Sequence, residues 1–321
     1  MGDACCRSDD HRIPDDPSKS GKIGNNIRSL YISKESQVDD SHIPHIEIAR
    51  KSDMNPIFPE LSPILSSKPP FAWDKVDTSI YEQYPVLGPY RYEDGSTYEG
   101  QYRNGLRHGR GRQVWADGSV YEGYWIDDKT DLYGRLASRE GDYYEGEFKD
   151  GEIWGAGYCE DMDGIVYTGQ FELGIKNGQG TEVYLDGSKY EGCFRDGHKH
   201  GYGKFTSSDD EFVYEGDFFN NKIHGQGKKV WSDGKSYEGS WMMNMQDGKG
   251  TFKWPDGRLY EGEYFEGLKH GYGEFYWTSG KCYKGQWANG KQEGYGVVAY
   301  SDGEQKAGVF HDGDRLDTHE S

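Results

Sequence analysis

The sequence predicts an all-β protein: an elongated, single-layer, twisted antiparallel sheet of consecutive β-hairpins, preceded by a disordered N-terminal region. Three observations carry this. A Tyr-x-Gly triplet recurs every 23 residues, beginning at Tyr98-Glu99-Gly100 and Tyr121-Glu122-Gly123 and reaching Tyr283-Lys284-Gly285, with a worn copy at Lys306-Ala307-Gly308. A fixed period held over about ten copies signals a repeat array rather than a globular enzyme domain. The residues inside the period alternate as strands do, and Asp-Gly pairs punctuate them.

With the triplet tyrosine as position 1, position 5 is always aromatic, as in Tyr102, Trp125, Phe148 and Phe171. Positions 1, 3 and 5 therefore place tyrosine, glycine and a second ring on one face. Positions 12 and 14 are nearly always glycine, as in Gly109/Gly111 and Gly201/Gly203, and positions 12, 14, 16 and 18 are expected to alternate likewise. Position 18 is often Trp or Tyr. The Asp117-Gly118, Asp186-Gly187, Asp233-Gly234, Asp256-Gly257 and Asp302-Gly303 pairs suit turns that need positive φ. Hydrophobic residues make up 33% of the chain and aromatics 15%, too little aliphatic side chain for a thick core. Rings lying on glycine backbone can bury area without a second layer. Two copies depart from the pattern. The second has Asp131 and Leu132 where histidine and glycine are usual. The fifth replaces its Asp-Gly turn by Ser207-Ser208-Asp209-Asp210-Glu211, one residue longer, where a kink or bulge is expected.

These motifs, over Gly88 to Gly313, resemble the MORN (membrane occupation and recognition nexus) repeat. The resemblance implies a non-catalytic scaffold or adaptor that binds protein partners along the array. Its members in radial spokes, basal bodies and cell-division rings imply the alternative of a cytoskeletal or ciliary component, often dimeric, without a membrane anchor. The family name suggests a third role, phosphoinositide binding, which the charge opposes. MORN arrays also accompany lipid kinase and lysine methyltransferase domains, but the 85 residues before the array and the eight after Gly313 leave no room for either.

The regions divide as follows: 1–8, an acylated N-terminus; 9–70, a disordered linker; 71–87, a cap on the first hairpin; 88–313, the array; 314–321, a tail. Residues 9–89 hold ten of the eleven prolines and show no period. The N-terminus reads Met1-Gly2-Asp3-Ala4-Cys5-Cys6. Gly2 suits N-myristoylation, and Cys5 and Cys6 suit palmitoylation; two or three chains anchor stably where one is marginal. Asp3 and Cys6 depart from the usual myristoylation pattern, and Asp9, Asp10, Asp15 and Asp16 give no polybasic support.

The net charge is −19, of which residues 1–85, with 10 basic and 14 acidic side chains, supply −4, leaving −15 for 86–321. Much of it is the position-2 glutamate. A solvated face that keeps an edge-rich sheet soluble is the plainer reading, and an acidic stripe for a basic partner the sharper one. Either way nucleic acid is repelled, and so is anionic lipid. No apolar run is long enough to cross a membrane, and no secretory h-region is present. Five cysteines without a C-x-x-C pair argue for a reducing compartment and against zinc. Location is accordingly the cytoplasmic side of a membrane, or the cytoskeleton or cilium.

No catalytic set, cofactor site or metal site is expected. Gly155-Ala156-Gly157 belongs to the repeat and is no phosphate loop, and Asp161-Met162-Asp163-Gly164 is a turn. The position-11 histidines His108, His200, His224 and His270 lie too far apart to share an ion, and turn hydrogen bonding is expected of them. Partner binding is assigned to the rings of the most regular copies: Tyr237, Trp241, Trp254, Tyr260, Tyr264, Trp277, Tyr283 and Trp287. Packing within the sheet competes for the same rings.

Overall fold

The computed structural model describes residues 63–77 and 79–316. Gly2, Cys5, Cys6, the linker up to residue 62 and the last five residues of the tail lie outside the described residues.

Strand is the main regular element of the described residues, and the chain forms two compact units. The first comprises, among the described residues, 63–185 and 194–197. Its strands are β1 (Val86–Arg91), β2 (Thr97–Arg103), β3 (Leu106–Val114), β4 (Val120–Ile126), β5 (Lys129–Ala137), β6 (Tyr143–Lys149), β7 (Glu152–Glu160), β8 (Val166–Glu172) and β9 (Ile175–Val183), each antiparallel to the next. The second comprises 186–193 and 198–316. It begins within β10 (Lys189–Arg195) and continues with β11 (His198–Thr206), β12 (Phe212–Phe219), β13 (Lys222–Trp231), β14 (Ser236–Met242), β15 (Met245–Lys253), β16 (Leu259–Phe265), β17 (Leu268–Tyr276), β18 (Cys282–Ala288), β19 (Lys291–Ala299), β20 (Gln305–His311) and β21 (Asp314–Leu316). From β11 on, each pairs antiparallel with its successor.

Each repeat is one hairpin, as expected, but it needs two kinds of turn. At positions 7 and 8 both residues have positive φ, as in Asn104 (53°) and Gly105 (89°), or Asn289 (50°) and Gly290 (81°). That is the mirror-image geometry a right-twisted hairpin prefers. The position-8 N–H then donates to the position-10 carbonyl of the preceding copy, as Gly267 does to Gln246 and Gly290 to Lys269, both at 2.9 Å. The second turn is the Asp-Gly turn. Its aspartate Oδ1 accepts a bond from the backbone N–H two residues on, as Asp117 does from Ser119 at 2.9 Å and Asp256 from Arg258 at 3.0 Å.

Inside each hairpin the glycines of positions 3 and 14 face each other, as Gly239 faces Gly250. The position-1 tyrosine folds back over both. A Cβ added to Gly250 would enter the ring of Tyr237, and its hydroxyl donates to the Ser240 carbonyl at 3.0 Å. The same bond joins Tyr98 to Gln101, Tyr121 to Tyr124 and Tyr283 to Gln286. The hydroxyl gives the covered carbonyl a donor that phenylalanine would not supply.

Position 12 departs from the expected alternation. Its glycine carries positive φ (Gly271 60°, Gly248 89°) and lies at a register shift within the hairpin. A Cβ on Gly271 would meet the Glu263 side chain, on the face opposite Tyr260. Leu132 keeps the same conformation, φ 61°, without being glycine. The fifth copy's extra residue is taken up in the loop: Ser208–Asp210 form a single 3-10 turn, and Ser207 Oγ and the Phe212 backbone bond each other across it. The pairing of β11 with β12 stays in register, so neither strand carries a bulge at the insertion.

Candidate partner-binding face

The repeat gives each unit two unlike faces. Face A carries positions 1, 3, 5, 10, 14 and 16. On it, each tyrosine meets the position-5 ring of its own copy and of the next, edge to face. Tyr237 packs against Trp241 at 5.0 Å and Tyr264 at 5.1 Å; Tyr260 against Tyr264 at 5.3 Å and Trp287 at 5.2 Å. Such pairs contribute about 0.5–1.5 kcal/mol beyond area burial.

This ladder decides what the eight predicted rings do. Tyr237, Tyr260 and Tyr283 are fully buried, and Trp241, Tyr264 and Trp287 nearly so. Trp241 and Trp287 also donate their indole N–H to the Gly227 and Gly273 carbonyls, both at 3.1 Å. These six rings are closed to a partner because they make the core. Trp254 and Trp277, at position 18, stay half-buried. Cations complete the packing: Lys269 Nζ lies 4.9 Å from the Phe275 and Trp287 ring centres and 5.4 Å from those of Trp254 and Tyr260.

Face B carries positions 2, 4, 11, 13, 15 and 17. In the first three copies it is covered by the chain's own residues 68–77 and 79–84. Lys68 Nζ bonds Glu160 at 2.5 Å, holding that carboxyl below its usual range, and sits over the rings of Tyr143 and Tyr158. Arg135 donates to the Pro69 carbonyl at 2.6 Å, and Tyr124 to that of Trp73 at 2.5 Å. Gln101 Nε2 donates to the carbonyls of Tyr81 and Tyr84 at 2.7 and 3.0 Å. Phe71 stacks on Tyr133 at 6.0 Å, Trp73 meets Tyr124 at 5.8 Å, and Tyr81 meets His108 at 5.5 Å. The covering segment is thus a strap across a sheet face, where a cap on the first hairpin is the sequence expectation. The end of the expected linker is structured too: Pro63–Ser67 form a short helix, and Lys68 and Pro69 are tied down.

In the second unit face B exposes rings among the described residues. Tyr202, Tyr272 and Tyr295 at position 13 are 58%, 49% and 64% exposed. Phe219, Met242 and Phe265 at position 6 are exposed as well. Tyr202 lies directly opposite Asp217, two residues before Phe219, so the two rows adjoin. The position-2 glutamates Glu191, Glu215, Glu238 and Glu261 are exposed among them. Sequence reasoning passed over these open rings because position 13 varies between copies; the pairing of Gly262 with Gly273 is what sets Tyr272, one residue before Gly273, on the face opposite Tyr260.

The histidines divide. His108 Nδ1 lies 3.2 Å from Asp127, as turn bonding requires, and burial ahead of Arg103's charge lowers its pKa. Turn bonding fails for His200 and His224: their rings lie 5.2 and 5.7 Å from Phe219, and Nδ1 of each is buried without a hydrogen-bond partner. Among the described residues no group of three or more His, Cys, Asp or Glu is arranged to hold a metal, and no helix is long and apolar enough to cross a membrane. Cys159 is buried in β7, which pushes its thiol up to about 12, and Cys282 is buried in β18.

The MORN repeat family model matches residues 98–120, 144–166, 167–189, 190–211, 214–236, 237–257, 260–282 and 283–305, together more than half of the chain. Of the copies that keep the Tyr-x-Gly triplet, the unmatched one, from Tyr121, holds Asp131 and Leu132. No curated protein matches. Among solved structures, similarity is found to the SAS-4 (dCPAP) TCP domain of Drosophila melanogaster in complex with a proline-rich motif of Ana2 (11% identity, 50% of this chain and 89% of that one, TM-score 0.32). The TCP10 domain of Danio rerio CPAP in complex with a STIL peptide is also similar (11% identity, 68% and 95%, TM-score 0.24).

Proposed function

Because this chain belongs to the MORN repeat family, we propose that it is a non-catalytic scaffold that gathers protein partners on face B, held at a membrane by acyl chains on Gly2, Cys5 and Cys6. The asymmetry of the faces supports the reading. Face A spends its rings on its own core, while face B of the second unit exposes Tyr202, Tyr272 and Tyr295, with acidic side chains between them. Large rings left in water beside hydrogen-bonding groups suit protein contacts. A photo-crosslinking residue at 272 in cells is expected to capture discrete protein adducts, and one at the exposed turn residue Gly303 none. Equal labelling from both positions would remove the scaffold reading.

Location is tested separately. Full-length protein is expected to pellet with membranes in high salt, and the Gly2→Ala, Cys5→Ser, Cys6→Ser variant to turn soluble. If both pellet instead with the cytoskeleton, the tether is wrong and a cytoskeletal or ciliary assembly role replaces it. Direct phosphoinositide binding has the array's −15 charge against it.

A further inference from the structure

Residues 68–77 and 79–84 show what face B accepts. The strap is recognised through its carbonyls, which take hydrogen bonds from Arg135, Tyr124 and Gln101. Its rings lie on sheet rings, and Lys68 reaches a carboxylate beside two phenols. Pro69 and Pro70 keep the lead-in extended and remove two donors that the face would have to satisfy.

The second unit repeats one part of this receiving chemistry, and among the described residues its rings there are exposed. In the first unit Tyr133, under Phe71, donates its hydroxyl to Glu145 at 3.1 Å, joining position 13 to position 2 of the next copy. Tyr202 makes the same bond to Glu215 at 2.7 Å, and its ring is exposed. Burial pushes the Tyr133 hydroxyl up to about 12, with Glu145 adding to it. Tyr202 shows the same direction, with Glu215 as the main cause. Tyr272, Phe265 and Phe219 extend the ring surface from there. Carboxylates at Asp217 and Glu261 stand on the same face, as does Glu215, which is paired across the sheet with Lys204 and Lys228.

We propose that face B of the second unit binds, in trans, an extended segment built like the strap: prolines that keep it extended, two or more aromatic side chains, and a lysine. This rests on the scaffold reading and names the partner's chemistry. The internal strap occupies the first three copies at the effective concentration of a tethered ligand, so the second unit is where a free segment finds room.

The test is a fluorescent synthetic peptide of residues 64–85, titrated into the full-length protein and read by anisotropy. Saturable binding is expected. Tyr202→Ala with Tyr272→Ala should weaken it at least about tenfold, since such rings are typical anchors. A Lys68→Ala peptide should bind more weakly and lose salt sensitivity. Tyr133→Ala, which touches only the occupied face, should leave the affinity unchanged. Both second-unit tyrosines are exposed, and a circular dichroism melt checks that the double variant stays folded. No saturable binding overturns the proposal, and so does binding that Tyr133→Ala removes and the double variant does not, because the peptide is then exchanging with the strap. If the peptide fails while crosslinking at 272 still captures protein, the partner has another chemistry and the scaffold reading survives.

Discussion

A tyrosine lying over two glycines leaves those positions no latitude, and single substitutions should show it. Gly250→Ala puts a methyl inside the Tyr237 ring and is expected to cost about 3 kcal/mol or more, since the ring cannot move without uncovering the Ser240 carbonyl. Gly303→Ala has positive φ (92°) but meets nothing within 4 Å, and should cost only the backbone term, about 1–2 kcal/mol. Urea midpoints that fail to separate the two would refute the ring-on-glycine account. Lys229 offers a pH test on the same face. It replaces the apolar residue usual at position 16, lies 3.8 Å from the Phe212 ring centre, and burial lowers its pKa from 10.5 to about 8. Below about pH 8 both folded and unfolded chains carry the charge, and burying it costs up to about 3 kcal/mol, less what the ring contact returns. The cost fades as pH rises from 8 to 10.5. Lys229→Met is therefore expected to raise the melting midpoint at pH 7 and to match wild type near pH 10.5; a gain independent of pH would assign the effect to packing alone.

Within a hairpin, positions 10 and 16 lie beneath the tyrosine and complement each other. Ile153 goes with Cys159, Lys199 with Phe205, and Lys176 with Glu182, whose buried ion pair measures 2.5 Å. Neither member of that pair is exposed, so Glu182→Leu strands a buried ammonium and is expected to cost about 3–5 kcal/mol. Adding Lys176→Met should recover most of it; a double variant as unstable as the single would mean that volume, not charge, decides there. The strap is an element of another kind, held by carbonyl bonds and rings at its margin. Phe71→Ala with Trp73→Ala should speed amide exchange over residues 68–84 and leave exchange in β4 and β5 unchanged. Much of this scale was legible in the sequence. The period gave the hairpins, and Asp-Gly pairs such as Asp256-Gly257 gave one set of turns. The positive φ of position 12 was not legible, because its glycine reads the same as that of position 14, and only pairing shows that Gly271 bends while Gly273 lies flat under Tyr260. The site was less legible than the fold. Conspicuous rings such as Tyr237 and Trp287 recur because the core needs them, so regularity marked packing, and the open rings occupy a position that varies.

At the scale of the molecule, an excess of −15 over residues 86–321 sets what the array can approach. Full-length protein carrying Gly2→Ala, Cys5→Ser and Cys6→Ser is expected to stay in the supernatant of phosphatidylserine vesicles even at low salt, where attraction would be strongest. Co-sedimentation would show a lipid-binding surface that the charge distribution argues against. The loop at 207–211 bears on how such an array changes over time. Its additional residue leaves β11 and β12 in register, whereas the turns at positions 7 and 8 hold two positive-φ residues and a bond to the preceding copy. Length can therefore drift at one end of the hairpins and not at the other. The Asp-Gly end is the natural port of entry for an inserted reporter or affinity tag, and the end from which related arrays can diverge without rewriting their core.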